Sequence, residues 1–538
     1  MTLEQALQQA VKHHQSGQLE QAEKLYRLIL EQAPDEPAVL HLLGLLVAQR
    51  GDLDEGLRLV RRAIELLPDV AEFHANLAQM LQARGALHEA IASYRRASEL
   101  KPDGAEAIFN LALLLQSQGQ TQEAEEAYKR GLLLTPNARA HNNLGAIYSS
   151  RGELGAAEES YRRAVALNPR HALAQSNLAG VLALQGRMKE AAEAYQRSLA
   201  LDSSNVEDQL SLGHVLESLG ETAQAVECYR RCLALDPALT KARHALAMAL
   251  HAMGKNAEAL ATAQEAVAGG PEDFDAVYGL AILLERAGRK REAVEMFERA
   301  KRLASDPDRV QFDIAAMGED ATPPPIAPAD YIVALFNDFS VRFDEHMVQT
   351  LKYDAPRQLY QAVKEMLGEQ KVEIADLGCG TGLSGVPFRT RASRLVGVDL
   401  APRMIEASRR RGIYDELHVG DVTTFLRQRP AEFDLIIAAD LFIYIGDLSD
   451  VFPASAEALR EGGLFVFSIE SQKEAGFRLH SLRRYTHSMS YLEALATKSG
   501  FEIRKIEPVH LRMEHARPVE GWAMVLQKRR NLGNGLKR

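Results

Sequence analysis

A unit of about 34 residues recurs nine times before residue 308, and a chain written this way must fold as a stack of like pieces. A glycine followed five residues later by a small residue marks each unit: Gly17 and Ala22, Gly85 and Ala90, Gly119 and Ala124, Gly152 and Ala157, Gly186 and Ala191, Gly220 and Ala225, Gly254 and Ala259, Gly288 and Ala293. In the second unit Gly56 stands where the others have Ala. Four residues beyond sits an aromatic in most copies (Tyr26, Tyr94, Tyr128, Tyr161, Tyr195, Tyr229, Phe297), and a proline closes most units (Pro34, Pro68, Pro102, Pro136, Pro169, Pro237, Pro271). Each unit therefore reads as two helices. The glycine permits the tight turn between them, the small residue lets them approach, the aromatic fills their shared core, and the proline cannot continue the helix before it.

One such hairpin cannot bury its apolar face alone, so neighbours stack into an all-α solenoid with an extended concave surface that reads partners. The pattern resembles the tetratricopeptide repeat. That family's tryptophan is missing throughout, since the only Trp is Trp522, and Leu77, Leu111 or Leu144 fills the adjoining core position. Before these leucines comes an asparagine in four consecutive units: Asn76, Asn110, Asn143 and Asn177. Residues at constant phase point to one side of a solenoid, and an amide offers both donor and acceptor to the backbone of an extended peptide. The series resembles the asparagine ladder in the repeat array of O-linked N-acetylglucosamine transferases, which grips peptides through their backbone. Asn is also a tolerated solvated residue in a helix, and both readings stay open.

At 538 residues the chain is too long for one core. Its net charge of -10 and pI near 5.9 argue against nucleic acid as a partner. Met1-Thr2-Leu3-Glu4 carries neither a basic leader nor an apolar core, and no run approaches a membrane span, so the expected location is the cytoplasm with no membrane partner. Three cysteines make no disulfide framework and no iron–sulfur ligand set; no metal site is expected, and Cys228 and Cys232 are read as packing residues.

The solenoid is expected over 1–307, followed by a linker over 308–330 that is proline-rich from Met317 to Pro328. A second domain spans 331–538, with a helical cap over 331–371 and a basic tail over 528–538 that ends in Lys537 and Arg538. Here short β-branched runs alternate with helical stretches, which implies a parallel α/β sheet. Strands are expected at Val372–Leu377, Arg394–Asp399, Phe433–Ala438 and Leu464–Ile469, with an edge hairpin near Phe501–Ile506 and Trp522–Leu526.

The first strand runs into Gly378-Cys379-Gly380-Thr381-Gly382-Leu383-Ser384-Gly385, at the strand end where such sheets bind ligands. Gly380, Gly382 and Gly385 also satisfy the dinucleotide fingerprint, which alone is weak. Context separates the readings: Asp376 precedes the loop by two residues, and Asp399 ends the next strand, where an acid can take both ribose hydroxyls. From Tyr331 to Lys528 the sequence resembles class I S-adenosylmethionine-dependent methyltransferases. The resemblance implies a Rossmann-like, seven-stranded, mostly parallel sheet with an antiparallel edge hairpin, S-adenosyl-L-methionine as cofactor and S-adenosyl-L-homocysteine as product. By the same resemblance Asp376, Gly378, Cys379, Gly380 and Gly382 line the amino acid part of the cofactor. Asp399, with Leu400 beside it, takes the ribose, Met404 packs on adenine, Asp421 with Val422 receives the adenine amino group, and Asp440 borders the methyl. Taken singly, Asp376 could solvate a strand end and Met404 could be plain core.

Transfer from a sulfonium is an in-line displacement, in which positioning supplies roughly 7–11 kcal/mol of the barrier and a base is optional. Asp440, Tyr444 and His487 are the candidates for acceptor positioning or base; His487 also reads as a surface residue after an arginine pair. Asp344 and His346, on the amphipathic stretch Ala334–Val348, belong either to a lid or to the cap's core. No Pro-Pro-Tyr or Pro-Pro-Phe signature follows the fourth strand, so the acceptor stays open among carboxylate, hydroxyl and an unusual nitrogen. More narrowly, the chain resembles bacterial methyltransferases fused to tetratricopeptide repeats. The leading expectation is an enzyme whose repeats recruit a protein or peptide substrate along their concave face. The alternative is a small-metabolite enzyme whose repeats serve as an interaction or oligomerisation scaffold, a homo-oligomer among the possibilities.

Overall fold

The computed structural model describes residues 2–318, 323–339, 343–514 and 517–530. Part of the expected linker (319–322) and most of the basic tail (531–538) lie outside the described residues. The chain divides into two compact units, Met1–Lys255 and Asn256–Arg538. No helix among the described residues is long and apolar enough to cross a membrane.

The first unit holds fifteen described helices, from Leu3–Gln15 to Thr240–Ala252. At the turn within each pair the glycine is left-handed, with φ between 74° and 84° at Gly17, Gly85, Gly119, Gly152, Gly186, Gly220 and Gly254. Ala22, Ala90, Ala124, Ala157, Ala191 and Ala225 are fully buried, and Tyr26, Tyr94, Tyr128 and Tyr229 fill the space between helices. The exception in the second unit has a steric cause: a Cβ at Gly56 would sit 2.7 Å from the Gly44 carbonyl oxygen and 2.8 Å from Met80 Cε. Pro34, Pro68 and Pro102 each stand two residues beyond a helix end, at Gln32, Leu66 and Leu100.

The second unit opens with helices of the same kind, Asn256–Gly269, Phe274–Arg286 and Lys290–Leu303. The expected linker then departs from expectation. Residues Pro307–Ala316 form a further helix, with Asp306 capping the Asp308 amide and Pro307 in the first turn. Pro307 was read as a stop, yet proline is equally suited to the first helical position. This helix buries Val310, Phe312, Ile314 and Ala315. Beyond it, the described part of the proline run is a strap and not a free spacer: Pro325 O accepts from Gly446 N at 2.8 Å and Asp447 N at 2.7 Å, and Ala327 N donates to Tyr444 O at 3.0 Å. Tyr485 Oη donates to Pro324 O at 2.7 Å.

A cap of helices Ala329–Phe339 and Ala355–Leu367 leads to a nine-stranded sheet. Its strands are β1 (Val372–Leu377), β2 (Ala392–Asp399), β3 (Glu416–Val419), β4 (Phe433–Ala438), β5 (Leu459–Gln472), β6 (Phe477–Leu479), β7 (Tyr485–Ser488), β8 (Phe501–Glu514) and β9 (Arg517–Lys528). β3, β2, β1, β4 and β5 run parallel in that order; β9 pairs antiparallel with β5, and β8 with β9. These seven make the mostly parallel sheet with an antiparallel edge that the resemblance implies, and β3 is the one among them with no range expected from the sequence. The additional hairpin of β6 and β7 joins the end of β5 through β7. Alternation along β5 builds two cores: Phe465 and Phe467 enter one apolar cluster with Phe442 and Phe452, while Leu464 and Val466 enter another with Leu359 and Val525.

Candidate active site

Parallel pairing brings the ends of β1, β2 and β4 into register, so the loops after them open on one cavity. It encloses about 1160 Å³ of empty space including its mouth. In the loop after β1 the glycines divide by role. Gly380 has φ 54°, and a Cβ there would meet nothing within 4 Å, which leaves its backbone open to a ligand. At Gly382 a Cβ would lie 2.8 Å from Ser408 Oγ and 3.0 Å from Tyr414, so that glycine allows close packing behind the loop. Gly378, Cys379 and Gly380 line the cavity, whereas Gly382 and Asp376 pack behind the loop.

Asp376 is an anchor for the loop. It is fully buried, and Oδ2 accepts from Ser384 Oγ at 2.7 Å and Tyr414 Oη at 2.5 Å, while Oδ1 has no partner among the described residues. Burial raises its pKa to about 7 against the pull of those two hydrogen bonds. The unfolded chain ionises near the ordinary value of 3.8 while the native group keeps its proton to about 7, so the native state loses stability as pH rises through that window. Asp376→Asn cannot ionise, so its melting temperature is expected to gain on wild type as pH rises from about 4 to 8. A difference that stays constant over that range would refute the assignment.

Asp399 ends β2 on the cavity wall. Its Oδ2 accepts from Gly380 N at 2.9 Å and its Oδ1 from Ala401 N at 2.8 Å, so one carboxylate ties the glycine loop to the turn after β2. Burial raises its pKa, opposed by these backbone donors. Leu400, Met404 and Val422 form an apolar wall beside it. Asp421, also on the wall, accepts from Thr424 N at 2.8 Å and so caps the helix Val422–Arg427.

After β4, Asp440 takes a left-handed φ of 53°. Its amide donates to Ser468 Oγ at 2.9 Å, and its Oδ2 accepts from Arg512 Nη1 at 2.9 Å. Tyr444 lines the cavity, its ring edge-on to Phe336 at 5.5 Å, and burial pushes its hydroxyl pKa up to about 12. His487 corrects its expectation. It is fully buried and off the cavity wall, with Nε2 against the carbonyls of Ile445 at 3.0 Å and Gly446 at 2.9 Å, and burial lowers its pKa to about 4. The ring must carry its proton on Nε2 to face two carbonyls, so it braces the turn after β4 and takes no proton from an acceptor. Asp344 binds the glycine loop, accepting from Thr381 Oγ1 at 2.5 Å and pairing with Arg411.

The cavity also holds two arginines to which the sequence assigns no role, Arg484 and Arg512. Arg512 is buried, with three carboxylates around it: Asp440, Glu470 and Glu514. It lies in β8, where no local motif marks it; the expected hairpin strand stopped at Ile506 and the real one runs to Glu514.

The asparagine series is half-buried in the first unit and links one repeat to the next. Asn76 Nδ2 lies 2.9 Å from His41 Nε2, Asn143 donates to Tyr128 Oη at 3.0 Å, and Asn177 donates to Asn142 Oδ1 at 2.9 Å. Asn110 bonds the Tyr94 hydroxyl. Each of the four amides thus has a partner within the array.

Residues 374–463 match a methyltransferase domain family, and residues 37–62 and 250–312 match tetratricopeptide repeat families. The chain is a run of tetratricopeptide repeats joined to a methyltransferase domain. Residues 70–276 also match the C-terminal domain of cilia and flagella-associated protein 70. A ubiquinone biosynthesis O-methyltransferase of Idiomarina loihiensis is 28% identical over 100 residues, 18% of this chain and 41% of that one. One from Xylella fastidiosa strain 9a5c is 27% identical over 110 residues, 20% of this chain and 45% of that one. The chain thus spans under half the length of these relatives. Among solved structures, MamA is 25% identical with a TM-score of 0.29, covering 30% of this chain and 95% of that one. YrrB, described as a repeat protein with an unusual peptide-binding site, is 22% identical with a TM-score of 0.32, covering 35% and 96%.

Proposed function

We propose that the methyltransferase domain binds S-adenosyl-L-methionine and methylates a small acceptor held beneath its cap, with S-adenosyl-L-homocysteine as the product. Asp399 carries this reading, because its carboxylate stands on the cavity wall at the end of β2 beside the open Gly380 backbone. Gly378, Cys379, Gly380 and Asp399 would hold the amino acid and ribose parts, with Leu400, Met404 and Val422 against the adenine and Asp421 and Asp440 at the rim. When bound, this cofactor supplies a methyl carbon open to in-line displacement. The chain's own contribution is to orient and to exclude water. Ile326, Ile332, Phe336, Phe343 and Met347 close an apolar roof from the strap and the cap.

A small acceptor is favoured by that roof, and the relatives named as O-methyltransferases support an oxygen acceptor. Among the described residues no strong base stands ready: the Asp440 carboxylate is paired with Arg512, burial pushes the Tyr444 hydroxyl up to about 12, and His487 is walled off. The acceptor oxygen should therefore ionise by itself, as in a carboxylate or an acidic phenol. The repeats then serve as an interaction region of a cytoplasmic enzyme. A polypeptide substrate gripped by Asn76, Asn110, Asn143 and Asn177 has less support, since these amides already hold neighbouring repeats together.

The test incubates full-length protein with methyl-labelled cofactor and a lysate of its host, using Asp399→Ala as the blank. Label is expected in a solvent-extractable fraction. Label in protease-sensitive polymer would restore the peptide reading, and no label above the blank would reject the enzyme.

A further inference from the structure

Two arginines line the acceptor end of the cavity, and their donors are spent differently. All three nitrogens of Arg512 are engaged: Nη1 with Asp440 at 2.9 Å, Nε with Glu514 at 2.7 Å, and Nη2 with Glu470. Arg484 gives Nη1 to Glu514, and its Nε and Nη2 have no partner among the described residues. Its side chain is 26% exposed, on a cavity lined by Ile326, Ile332, Phe336 and Tyr444 as well as by Asp440 and Arg512. A guanidinium that is only a quarter exposed and has unspent donors gains more from an anion that completes its fork than from water.

Arg484 is also held in place from both sides in the chain. Arg483, with a left-handed φ of 58°, pairs with Asp313 at 2.5 Å and Glu285 at 2.9 Å. Tyr485 is fully buried and bonds Pro324 O at 2.7 Å. The residue between two such anchors has little freedom, so its donors are preorganised. The nearby acids, Asp440, Glu470 and Glu514, outnumber the two arginines by one, and Asp440 and Glu470 are both taken by Arg512. The cluster therefore carries a net negative charge, which an anion can overcome only by direct hydrogen bonds to the open donors of Arg484.

Building on the proposed function, we infer that Arg484 determines specificity by reading an anionic group, a carboxylate or a phosphate, on an otherwise apolar acceptor. The aromatic walls from Phe336 and Tyr444 take the body, and Arg484 takes the head.

Calorimetry on the full-length protein saturated with S-adenosyl-L-homocysteine tests this, with naphthoate and its neutral counterpart naphthamide as probes. Naphthoate is expected to bind about tenfold tighter or more, the range for one hydrogen bond to a charged group. Arg484→Gln should erase that preference and leave S-adenosyl-L-homocysteine affinity unchanged, and Arg484→Lys should keep part of it. Equal binding of the two probes, binding of neither, or a preference that survives in Arg484→Gln overturns the inference. Failure to bind S-adenosyl-L-homocysteine at all would instead reject the proposed function on which it rests.

Discussion

Asp399→Ala is expected to weaken S-adenosyl-L-homocysteine binding by about a hundredfold or more, because hydrogen bonds to a charged group each contribute about 1.5–3 kcal/mol. The carboxylate has two duties. In the protein it accepts from Gly380 N at 2.9 Å and Ala401 N at 2.8 Å, which sets the glycine loop relative to β2. Toward the cavity it would accept from the ribose. Alanine removes both, so the loop loses its brace at the same moment as the ligand loses its acceptor. Asp399→Asn keeps the shape and one acceptor oxygen and should fall between. Calorimetric titration of the folded variants decides the matter, and an unchanged affinity in Asp399→Ala would remove the support for the cofactor site.

The second large effect is on stability. Asp313→Ala is expected to destabilise the unit Asn256–Arg538 by about 3–5 kcal/mol, the cost of breaking a buried ion pair by removing one partner. Asp313 is fully buried; Oδ1 accepts from Arg483 Nε at 2.5 Å and Oδ2 from Tyr278 Oη at 2.6 Å. Removing it leaves Arg483 with Glu285 alone and the Tyr278 hydroxyl without its acceptor. The neighbouring Phe312, Tyr331 and Tyr485 form one apolar cluster, so the loss should spread to the β6–β7 hairpin. The denaturant midpoint of the transition assigned to this unit measures it, and a shift of less than about 1 kcal/mol, as for a surface pair, would show that the pair is not structural.

Asp313 also marks the point where linear reading broke down. The helix Pro307–Ala316 was taken for linker because Pro307 ends one pattern and further prolines follow; that proline serves equally well as a first-turn residue, and only packing chose between the two. The strap at Pro324 and Pro325 was invisible for a similar reason, since its partners Gly446, Asp447 and Tyr485 lie more than a hundred residues on. Periodicity cannot report a contact at that separation.

The same distinction runs through the site. Gly378, Gly380 and Asp399 stand where the grammar of a parallel sheet places ligand contacts, while Met404 and Asp440 follow only from the resemblance to methyltransferases; all five line the cavity. Asp376 and Gly382 belonged to the same motif but pack behind it, a difference of side-chain direction that spacing cannot express. His487, which reads from sequence either as a candidate base or as a surface residue after an arginine pair, is buried against the turn after β4, while Arg483 pairs with Asp313 and Arg484 lines the cavity.

By itself the sequence determined the repeated helical hairpins, the parallel sheet and the glycine loop, because each is set by local periodicity and by residues such as Gly119 or Ala124 whose backbone freedom or small size has one use. Tertiary structure alone decided which charges meet. The three carboxylates around Arg512 come from the turn after β4, from β5 and from β8, and the partners of Arg483 from the helices Phe274–Arg286 and Pro307–Ala316. Ion pairs act through space at a few ångströms, and only a folded chain brings residues so far apart in sequence to that distance.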